Sequence, residues 1–236
     1  MSPRARRGKP KRALVIVAHP DDAEFLCAGS VARWCAEGWD VAYVLVTSGD
    51  KGTHDAKMTA ASLKAIREDE QRAAARALGV TECVFLGVGD GFVEDTPELR
   101  GRLVREIRRF KPDVLVTWDP YRQGHNHRDH RLTGQAALDA AYPLSRSHLY
   151  YPEHLAEGLK PHRISEALLA GTDRANFHVD VTDYFQTKIK ALMCHKSQIG
   201  RYGVKEVRKR VRDRMAEVGK EAGFKLAEAF HRIEWR

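Results

Sequence analysis

The sequence contains few cysteines, and their spacing excludes two classes of protein. Only four occur in 236 residues, and successive cysteines stand 8, 48 and 111 positions apart. This spacing gives neither a CxxC metal-binding pair nor the dense framework of a disulfide-rich domain. We therefore expect buried free thiols in a reducing compartment. The cysteines are Cys27, Cys35, Cys83 and Cys194.

Long hydrophobic runs are also missing where a targeting signal would need one. The apolar run that follows the basic N-terminus covers only residues 13–18 and then meets His19-Pro20-Asp21-Asp22. Such a run is too short for the apolar region of a signal peptide or for a membrane span. We expect a cytoplasmic protein without a membrane span.

The formal net charge of +8 lies at the two ends of the chain. Residues 1–12 carry six basic side chains and no acid, and residues 200–236 carry a net +5, so the central stretch 13–199 is −3. The composition, with 43% hydrophobic residues, excludes a collagen-like or wholly disordered chain. We expect a basic, disordered head at 1–12, a folded domain at 13–199, and a helical extension at 200–236 that packs on the same domain.

From residue 13 to about 142, short β-branched runs alternate with longer helical patterns, which is typical of βαβ units. The predicted strands are 13–18, 41–47, 83–86, 113–118, 166–170 and 177–181. The predicted helices are 30–37, 62–78, 97–110, 129–141 and 182–197, with helical spacing again at 204–218. We therefore predict an α/β fold: a Rossmann-like, doubly wound, mainly parallel sheet with helices on both faces and a C-terminal helical extension.

Polar residues follow the predicted strands directly. His19-Pro20-Asp21-Asp22 comes after the first strand, and a loop with three histidines, at 125, 127 and 130, comes after the fourth. In an open parallel sheet these loops meet at one edge, where ligands bind. One His and one Asp from the first loop and one His from the fourth would supply the three protein ligands of a catalytic zinc. The plainer interpretations are a helix-capping Asp and a solvated polar loop.

The two loops together resemble known sequence motifs. Ala18-His19-Pro20-Asp21-Asp22 and His127-Arg128-Asp129-His130 are similar to the paired motifs of the LmbE-like or PIG-L family of zinc-dependent N-deacetylases. The resemblance extends over residues 12–199, and 227–230 is similar to the family's ending. One departure is that Ala23 precedes Glu24, where many members have Glu directly after the two aspartates.

The resemblance implies a role for each matching residue. The implied zinc ligands are His19, Asp22 and His130. Asp21 would be the general base, His127 would polarise the carbonyl, and Asp129 would orient an imidazole. The implied reaction is attack of a zinc-activated water on the amide of an N-acetylglucosamine-type substrate, with removal of an acyl group. Fe²⁺ or Co²⁺ could occupy the same ligand set.

The substrate is less well defined by the sequence. Lys51, Arg67, Asp90 and Arg122 lie in or near the predicted loops and could contact a sugar or an anionic aglycone, although ordinary exposed charges are an equal interpretation. A deacetylase cannot be separated from an amidase of the same family that acts on thiol conjugates, because the pocket walls set the choice of acyl group.

Two other functional classes are less well supported. The basic residues of the head and of 205–214 could bind nucleic acid, but acids interrupt the helical cluster and no stacking aromatic set accompanies it. A nucleotide cofactor is disfavoured because the first loop has two carboxylates and no GxGxxG. We expect a small-molecule substrate and no nucleic-acid partner; the sequence leaves open whether the protein is a homo-oligomer.

Overall fold

The computed structural model describes residues 10–200 and 202–235, and within them seven strands form one sheet. The strands are β1 (Arg12–Val17), β2 (Asp40–Thr47), β3 (Glu82–Val88), β4 (Val114–Trp118), β5 (Glu166–Ala170), β6 (Phe177–Asp180) and β7 (Ala227–Glu234). All run in the same direction except β7, which is antiparallel to both of its neighbours. The predicted mainly parallel α/β sheet is confirmed.

The order of the strands places a crevice beside β1. The sheet runs β3-β2-β1-β4-β5-β7-β6, so the chain first builds outward from β1 on one side and then continues with β4 on the other. The order reverses between β1 and β4, and in open α/β sheets ligands bind beyond the carboxyl ends of the strands at such a point. The loops after β1 and β4 therefore meet there.

Helices cover both faces of the sheet, as predicted. They are α1 (Asp22–Ala36), α2 (Ala60–Leu78), α3 (Pro97–Phe110), α4 (Arg128–Ala141), α5 (Glu153–Ala156), α6 (Phe185–Leu192), α7 (Lys196–Ile199) and α8 (Val204–Ala222). Val15 and Val17 of β1 pack with α1, α2, α6 and α8 on one face, whereas Leu14 and Ile16 pack with α3 and α4 on the other. Because β1 is buried on both faces, its sequence is continuously apolar rather than alternating.

The first helix begins eight residues earlier than predicted. The prediction placed it at 30–37, but α1 starts at Asp22, directly after the first loop. Asp22 and Glu24 in its first turn favour this start, because negative charge is stabilised near a helix N-terminus. Gly29 lies inside the helix, where a Cβ would come within 2.8 Å of Val181 Cβ. Close packing therefore explains a glycine that the pattern placed outside the helix.

The predicted helix 182–197 is divided in the structure. A 3₁₀ turn at 182–184 precedes α6, and a turn separates α6 from α7. His195 lies in this turn with its side chain fully buried, and its Nε2 is 3.0 Å from Glu24 Oε2 of α1. The break therefore brings a polar side chain into the core beneath the first loop.

The C-terminal segment supplies a strand as well as the predicted helix. After α8, β7 inserts between β5 and β6, an element that the sequence analysis missed. The division into head, catalytic domain and extension stays a prediction, but this strand makes the extension part of the same sheet. Residues 1–9 of the predicted head lie outside the described residues, and its last residue, Arg12, begins β1.

Two ion pairs join charged side chains within α8. Lys209 Nζ lies 2.7 Å from Asp213 Oδ2, and Arg210 Nε lies 2.7 Å from Glu206 Oε1. Pairs at this spacing are typical of a solvated, salt-bridged helix face. They favour the expectation that the basic C-terminal segment does not serve as a nucleic-acid site.

The cysteines and the helices bear on the expected environment of the chain. All four cysteines are free thiols, but only Cys27 is buried; Cys35, Cys83 and Cys194 are partly exposed because they lie near the end of α1, on the edge strand β3 and in the turn after α6. The expectation of four buried thiols is therefore wrong for three. Among the described helices, none combines the length and the apolar character that crossing a bilayer requires. A cytoplasmic location stays a prediction.

A buried ion pair attaches β7 to the helices beside it. Lys188 Nζ of α6 lies 2.7 Å from Glu228 Oε1 of β7 and also donates to the Phe25 carbonyl. Glu228 accepts further hydrogen bonds from Gly29 N, Ser30 N and Ser30 Oγ of α1. This carboxylate therefore joins β7, α1 and α6 at one point.

We expect Lys188→Met to destabilise the fold strongly. The substitution leaves the Glu228 charge buried without its cation, which typically costs about 3–5 kcal/mol. Urea unfolding followed by circular dichroism measures the loss. Lys190→Met, at an exposed position on the same helix, is the control. Equal unfolding midpoints for the two variants would show that the pair does not support the fold.

Candidate active site

The predicted site residues converge on one open cleft at the carboxyl ends of β1 and β4. Its volume is about 560 Å³. Eight of the ten predicted residues line it: His19, Asp21, Asp22, Lys51, Arg67, Asp90, His127 and His130. Asp129 is fully buried and contacts a lining residue, and Arg122 lies outside the cleft. The topology of the sheet thus brings together residues more than 100 positions apart in the chain.

One backbone donor and one side-chain donor fix the Asp22 carboxylate. Its Oδ2 accepts a hydrogen bond from His19 N at 2.9 Å and another from Trp118 Nε1 at 3.0 Å. The second oxygen, Oδ1, lies 3.2 Å from His130 Nε2. Oδ2 is therefore held by two protein donors, whereas Oδ1 faces His130. Trp118, at the end of β4, is a site residue that the sequence analysis missed.

Donor atoms of the three predicted metal ligands lie close to one another. His19 Nδ1 lies 3.2 Å from His130 Nε2 and 3.6 Å from Asp22 Oδ2. A tetrahedral zinc with ligands at 2.0–2.1 Å has donor atoms about 3.3 Å apart. Two imidazole nitrogens and one carboxylate oxygen also form a donor set that zinc prefers. The side chains present therefore fit a zinc ion, although their role as ligands stays a prediction.

The far nitrogen of His19 is held by two other carboxylates. Its Nε2 lies 3.1 Å from Asp129 Oδ2 and 3.1 Å from Asp90 Oδ1. Burial lowers the pKa of His19, but its hydrogen bonds to Asp129, Asp22 and Asp90 outweigh burial and raise this pKa to about 11. The acidic surroundings therefore favour a positive charge at this point. In metal sites, a ligating histidine commonly donates its other ring N–H to a carboxylate that orients the ring. Asp129 lies in this position relative to His19.

Backbone donors hold these two carboxylates in turn. Asp129 accepts from Gly91 N at 2.7 Å and from Val93 N at 3.3 Å, and Asp90 Oδ2 accepts from Lys51 N at 3.1 Å. The glycine-rich loop after β3 thus serves as a support for His19. This contact of Asp90 was not predicted; its predicted substrate contact stays a prediction.

His130 lies between two aromatic rings. The Trp118 ring stacks on one side at 4.0 Å between ring centroids, and the His127 ring lies at 4.1 Å with an interplanar angle of 13°. Its Nδ1 lies 3.1 Å from His125 Nε2, which leaves Nε2 directed at His19 and Asp22. His125 is a second supporting residue that the sequence analysis did not assign. The grouping of three histidines in one loop was the available signal.

His127 is the most exposed of the predicted catalytic residues. Burial lowers its pKa, and the neighbouring His130 lowers it further. Both effects favour the neutral form of the ring, which lies 4.8 Å from His19 between ring centroids. A neutral imidazole can donate one hydrogen bond to an oxygen that gains negative charge.

Asp21 occupies a strained position at the floor of the cleft. Its φ of 86° lies in the left-handed region, which is uncommon for a residue other than glycine. Burial raises the pKa of its carboxyl group to about 7, although Arg67, with Nη2 3.3 Å from Asp21 Oδ2, acts in the opposite direction. A carboxyl with a pKa in this range is suited to accept a proton near neutral pH.

Arg67 is largely committed to the protein itself. It is only 4% exposed and donates to the Gly49 carbonyl at 2.9 Å and to the Pro20 carbonyl at 2.6 Å. Its main visible task is therefore to support the first loop rather than to reach outward. The predicted direct contact of Arg67 with a sugar stays a prediction.

The remaining predicted substrate residues differ in their location. Lys51 is exposed at the rim of the cleft, with Nζ 3.4 Å from Asp50 Oδ1. Arg122 instead lines a neighbouring cavity of about 710 Å³. Phe25 and Trp118 line both spaces, so the cavity adjoins the cleft. Arg122 therefore does not line the cleft itself, and its predicted contact with the substrate stays a prediction.

Comparison with known proteins gives a consistent result. The family profile described as PIG-L, GlcNAc-PI de-N-acetylase, matches residues 14–141. The diacetylchitobiose deacetylase of Thermococcus kodakarensis is 31% identical over 188 residues, which are 80% of this chain and 70% of that protein. The mycothiol S-conjugate amidase of Streptomyces coelicolor is 26% identical over 80% of this chain and 82% of its own. The structure of N,N'-diacetylchitobiose deacetylase from Pyrococcus horikoshii in complex with its inhibitor MPG has a TM-score of 0.90 and 30% identity, and covers 95% of this chain and 84% of that one.

Proposed function

The chain belongs to the PIG-L family and is an amide-hydrolysing enzyme, and from this premise we propose that it removes the acetyl group of an N-acetylglucosamine-type substrate with the help of one zinc ion. The observation that carries the proposal is the triangle of donor atoms on His19, Asp22 and His130, which opens into the same cleft as Asp21 and His127. The names of the two chitobiose deacetylases support the choice of an amino sugar.

His19, Asp22 and His130 would hold the zinc. A zinc in this position supplies a Lewis acid for the amide carbonyl and lowers the pKa of a water molecule. Asp21 then accepts the proton that the attacking water loses and delivers it to the leaving nitrogen. His127 donates a hydrogen bond to the carbonyl oxygen as its negative charge develops. Asp129 keeps His19 in the orientation in which Nδ1 faces the cleft.

The cavity beside the cleft offers room for the rest of the substrate. It lies across Phe25 and Trp118 from the metal centre and is lined by Arg122 of the loop after β4. Tyr121 N donates to Asp119 Oδ1 and Gln123 N donates to Asp173 Oδ2, so the backbone on both sides of Arg122 is anchored. A second sugar or an anionic aglycone attached to the acetylated sugar would extend toward this guanidinium.

We expect Arg122→Gln to act on large substrates only. It should raise the KM for diacetylchitobiose about 3- to 10-fold, the net effect of losing one ordinary hydrogen bond, and leave the KM for N-acetylglucosamine unchanged. Steady-state amine release measures both. Arg212→Gln, at an exposed position on α8 that does not line the cavity, is the matched control. An equal effect on both substrates would exclude the cavity as the place of the second sugar.

The amidase alternative rests on the same centre. One relative is named mycothiol S-conjugate amidase, so proteins similar to this chain include an enzyme that is not named as a deacetylase of an acetylated sugar. Zinc-loaded protein should therefore be tested for amine release against N-acetylglucosamine, diacetylchitobiose, an N-acetylglucosaminyl inositol and a thiol conjugate. We expect release from the acetylated sugars. Release from the thiol conjugate alone would favour the amidase. The same assay with iron- or cobalt-loaded protein identifies the metal that gives the highest activity.

A further inference from the structure

A buried polar network that the proposed mechanism does not use lies beneath Asp21. It consists of Gln71 on α2, Glu24 on α1 and His195 in the turn between α6 and α7. All three side chains are fully buried. Burying three polar groups costs free energy unless they are hydrogen-bonded. Because these three side chains are hydrogen-bonded to each other directly under the first loop, they are placed to support that loop.

Helix α2 holds both polar groups of a single peptide bond. Asp21 N donates to Gln71 Oε1 at 3.0 Å, and the Pro20 carbonyl accepts from Arg67 Nη2 at 2.6 Å. This N–H and this C=O belong to the peptide that joins Pro20 to Asp21. Arg67 and Gln71 are four residues apart, so they lie on one face of the helix. The plane of the peptide is thereby fixed from both sides.

Asp21 needs such support because of its backbone conformation. At φ 86° and ψ −23° it lies in the left-handed region, where a residue other than glycine stores strain. Strained conformations of this kind persist only where the surrounding structure holds them. Rotation of the Pro20–Asp21 peptide would relieve the strain and turn the Asp21 carboxylate away from its place in the cleft.

Glu24 and His195 determine which way the Gln71 amide faces. Gln71 Nε2 lies 3.0 Å from Glu24 Oε1 and 3.2 Å from Glu24 Oε2, and a carboxylate can only accept. The amide nitrogen therefore faces Glu24, which leaves the amide oxygen to accept from Asp21 N. Glu24 is in turn held by His195 Nε2 at 3.0 Å.

We propose that Gln71 is a positioning residue that holds the base Asp21 in its left-handed conformation, and that the Glu24–His195 pair sets the orientation of the Gln71 amide. The inference rests on the proposed function in one respect, namely that Asp21 is the base. It also assigns a role to Glu24, which stands one position later than the glutamate of many members of the family.

The test compares Gln71→Met, which keeps the length of the side chain and removes the acceptor, with the wild-type enzyme. Displacing the base should lower kcat about 10- to 100-fold. The KM and the zinc dissociation constant should stay within about twofold, because neither the substrate walls nor the donor triangle changes. Glu24→Gln, which lets the Gln71 amide turn over, should lower kcat in the same direction. Should Gln71→Met fail to fold, Glu24→Gln alone carries the test.

Glu70→Gln is the matched control. Glu70 is the neighbour of Gln71 on α2, and its carboxylate accepts from Ser197 N and Oγ of α7, so its loss disturbs the same helices without touching the Pro20–Asp21 peptide. We expect its kcat to equal that of the wild type. A wild-type kcat in Gln71→Met, or a loss of zinc affinity equal to the loss of kcat, would overturn the proposal.

A crystal structure of Gln71→Met tests the same inference without activity. We expect the Asp21 φ to leave the left-handed region; a φ still near +86° would contradict the proposal. If the wild-type enzyme released no amine from any substrate, the proposed function would fail, but this structural outcome would still decide whether Gln71 holds the loop.

Discussion

Asp21→Asn is expected to keep the metal and lose turnover. The amide of Asn has nearly the shape of the carboxylate but cannot accept the proton of the attacking water, so kcat should fall about 10²- to 10⁴-fold. The donor triangle of His19, Asp22 and His130 does not include Asp21, and zinc binding should therefore be unchanged. Zinc content by atomic emission and amine release on the same preparation measure both quantities.

The Asp21 variants also test whether the left-handed backbone conformation at this position affects the stability of the fold. Because asparagine tolerates the left-handed region well, Asp21→Asn should retain the stability of the wild-type fold. Asp21→Ala, which cannot contact Arg67, serves as the second variant. A metal-loaded Asp21→Asn protein with wild-type turnover would exclude Asp21 as the base and leave the rest of the centre in place.

His130→Ala is expected to abolish stoichiometric zinc binding, and His19→Ala should do the same. Each substitution removes one of the three predicted ligands, so only two would remain. His19 Nδ1 lies 3.2 Å from His130 Nε2, and one or other oxygen of Asp22 lies within 3.6 Å of each histidine. Amine release should fall to the uncatalysed background. Isothermal titration of the metal-free proteins with zinc measures the loss directly.

A graded comparison separates a ligand from its support. His125 contacts the far nitrogen of His130 at 3.1 Å and packs on Trp118, with 5.0 Å between ring centroids. Loss of such a supporting group typically costs about 10- to 100-fold in metal affinity. His125→Ala should therefore bind zinc more weakly, whereas His130→Ala should not bind it measurably. Equal zinc affinity in His130→Ala and the wild type would show that the metal is held elsewhere.

Much of this architecture could be predicted from the sequence because local patterns determine it. Helix α3 begins and ends as predicted, since Thr96 caps its first turn and Pro97 favours the first helical position. The continuous apolar run of β1 marks a strand buried on both faces. His19, Asp22 and His130 could be named because they follow predicted strands whose ends meet at one sheet edge.

The features that the sequence analysis missed depend on contacts between distant segments. The strand β7 follows a highly charged helix, and only its pairing with β5 and β6 defines it as part of the sheet. Trp118 could be read as an ordinary strand residue, although its indole N–H fixes Asp22. Gln71 lies 50 positions from Asp21 in the chain, and no local pattern joins the two.

The measurement that bears most directly on the central claim is a zinc titration of the metal-free wild-type enzyme. Amine release from diacetylchitobiose and bound zinc are followed in the same samples. The donor triangle at His19, Asp22 and His130 predicts that activity rises in proportion to zinc and levels off at one ion per chain. Full amine release by the metal-free protein would contradict this account.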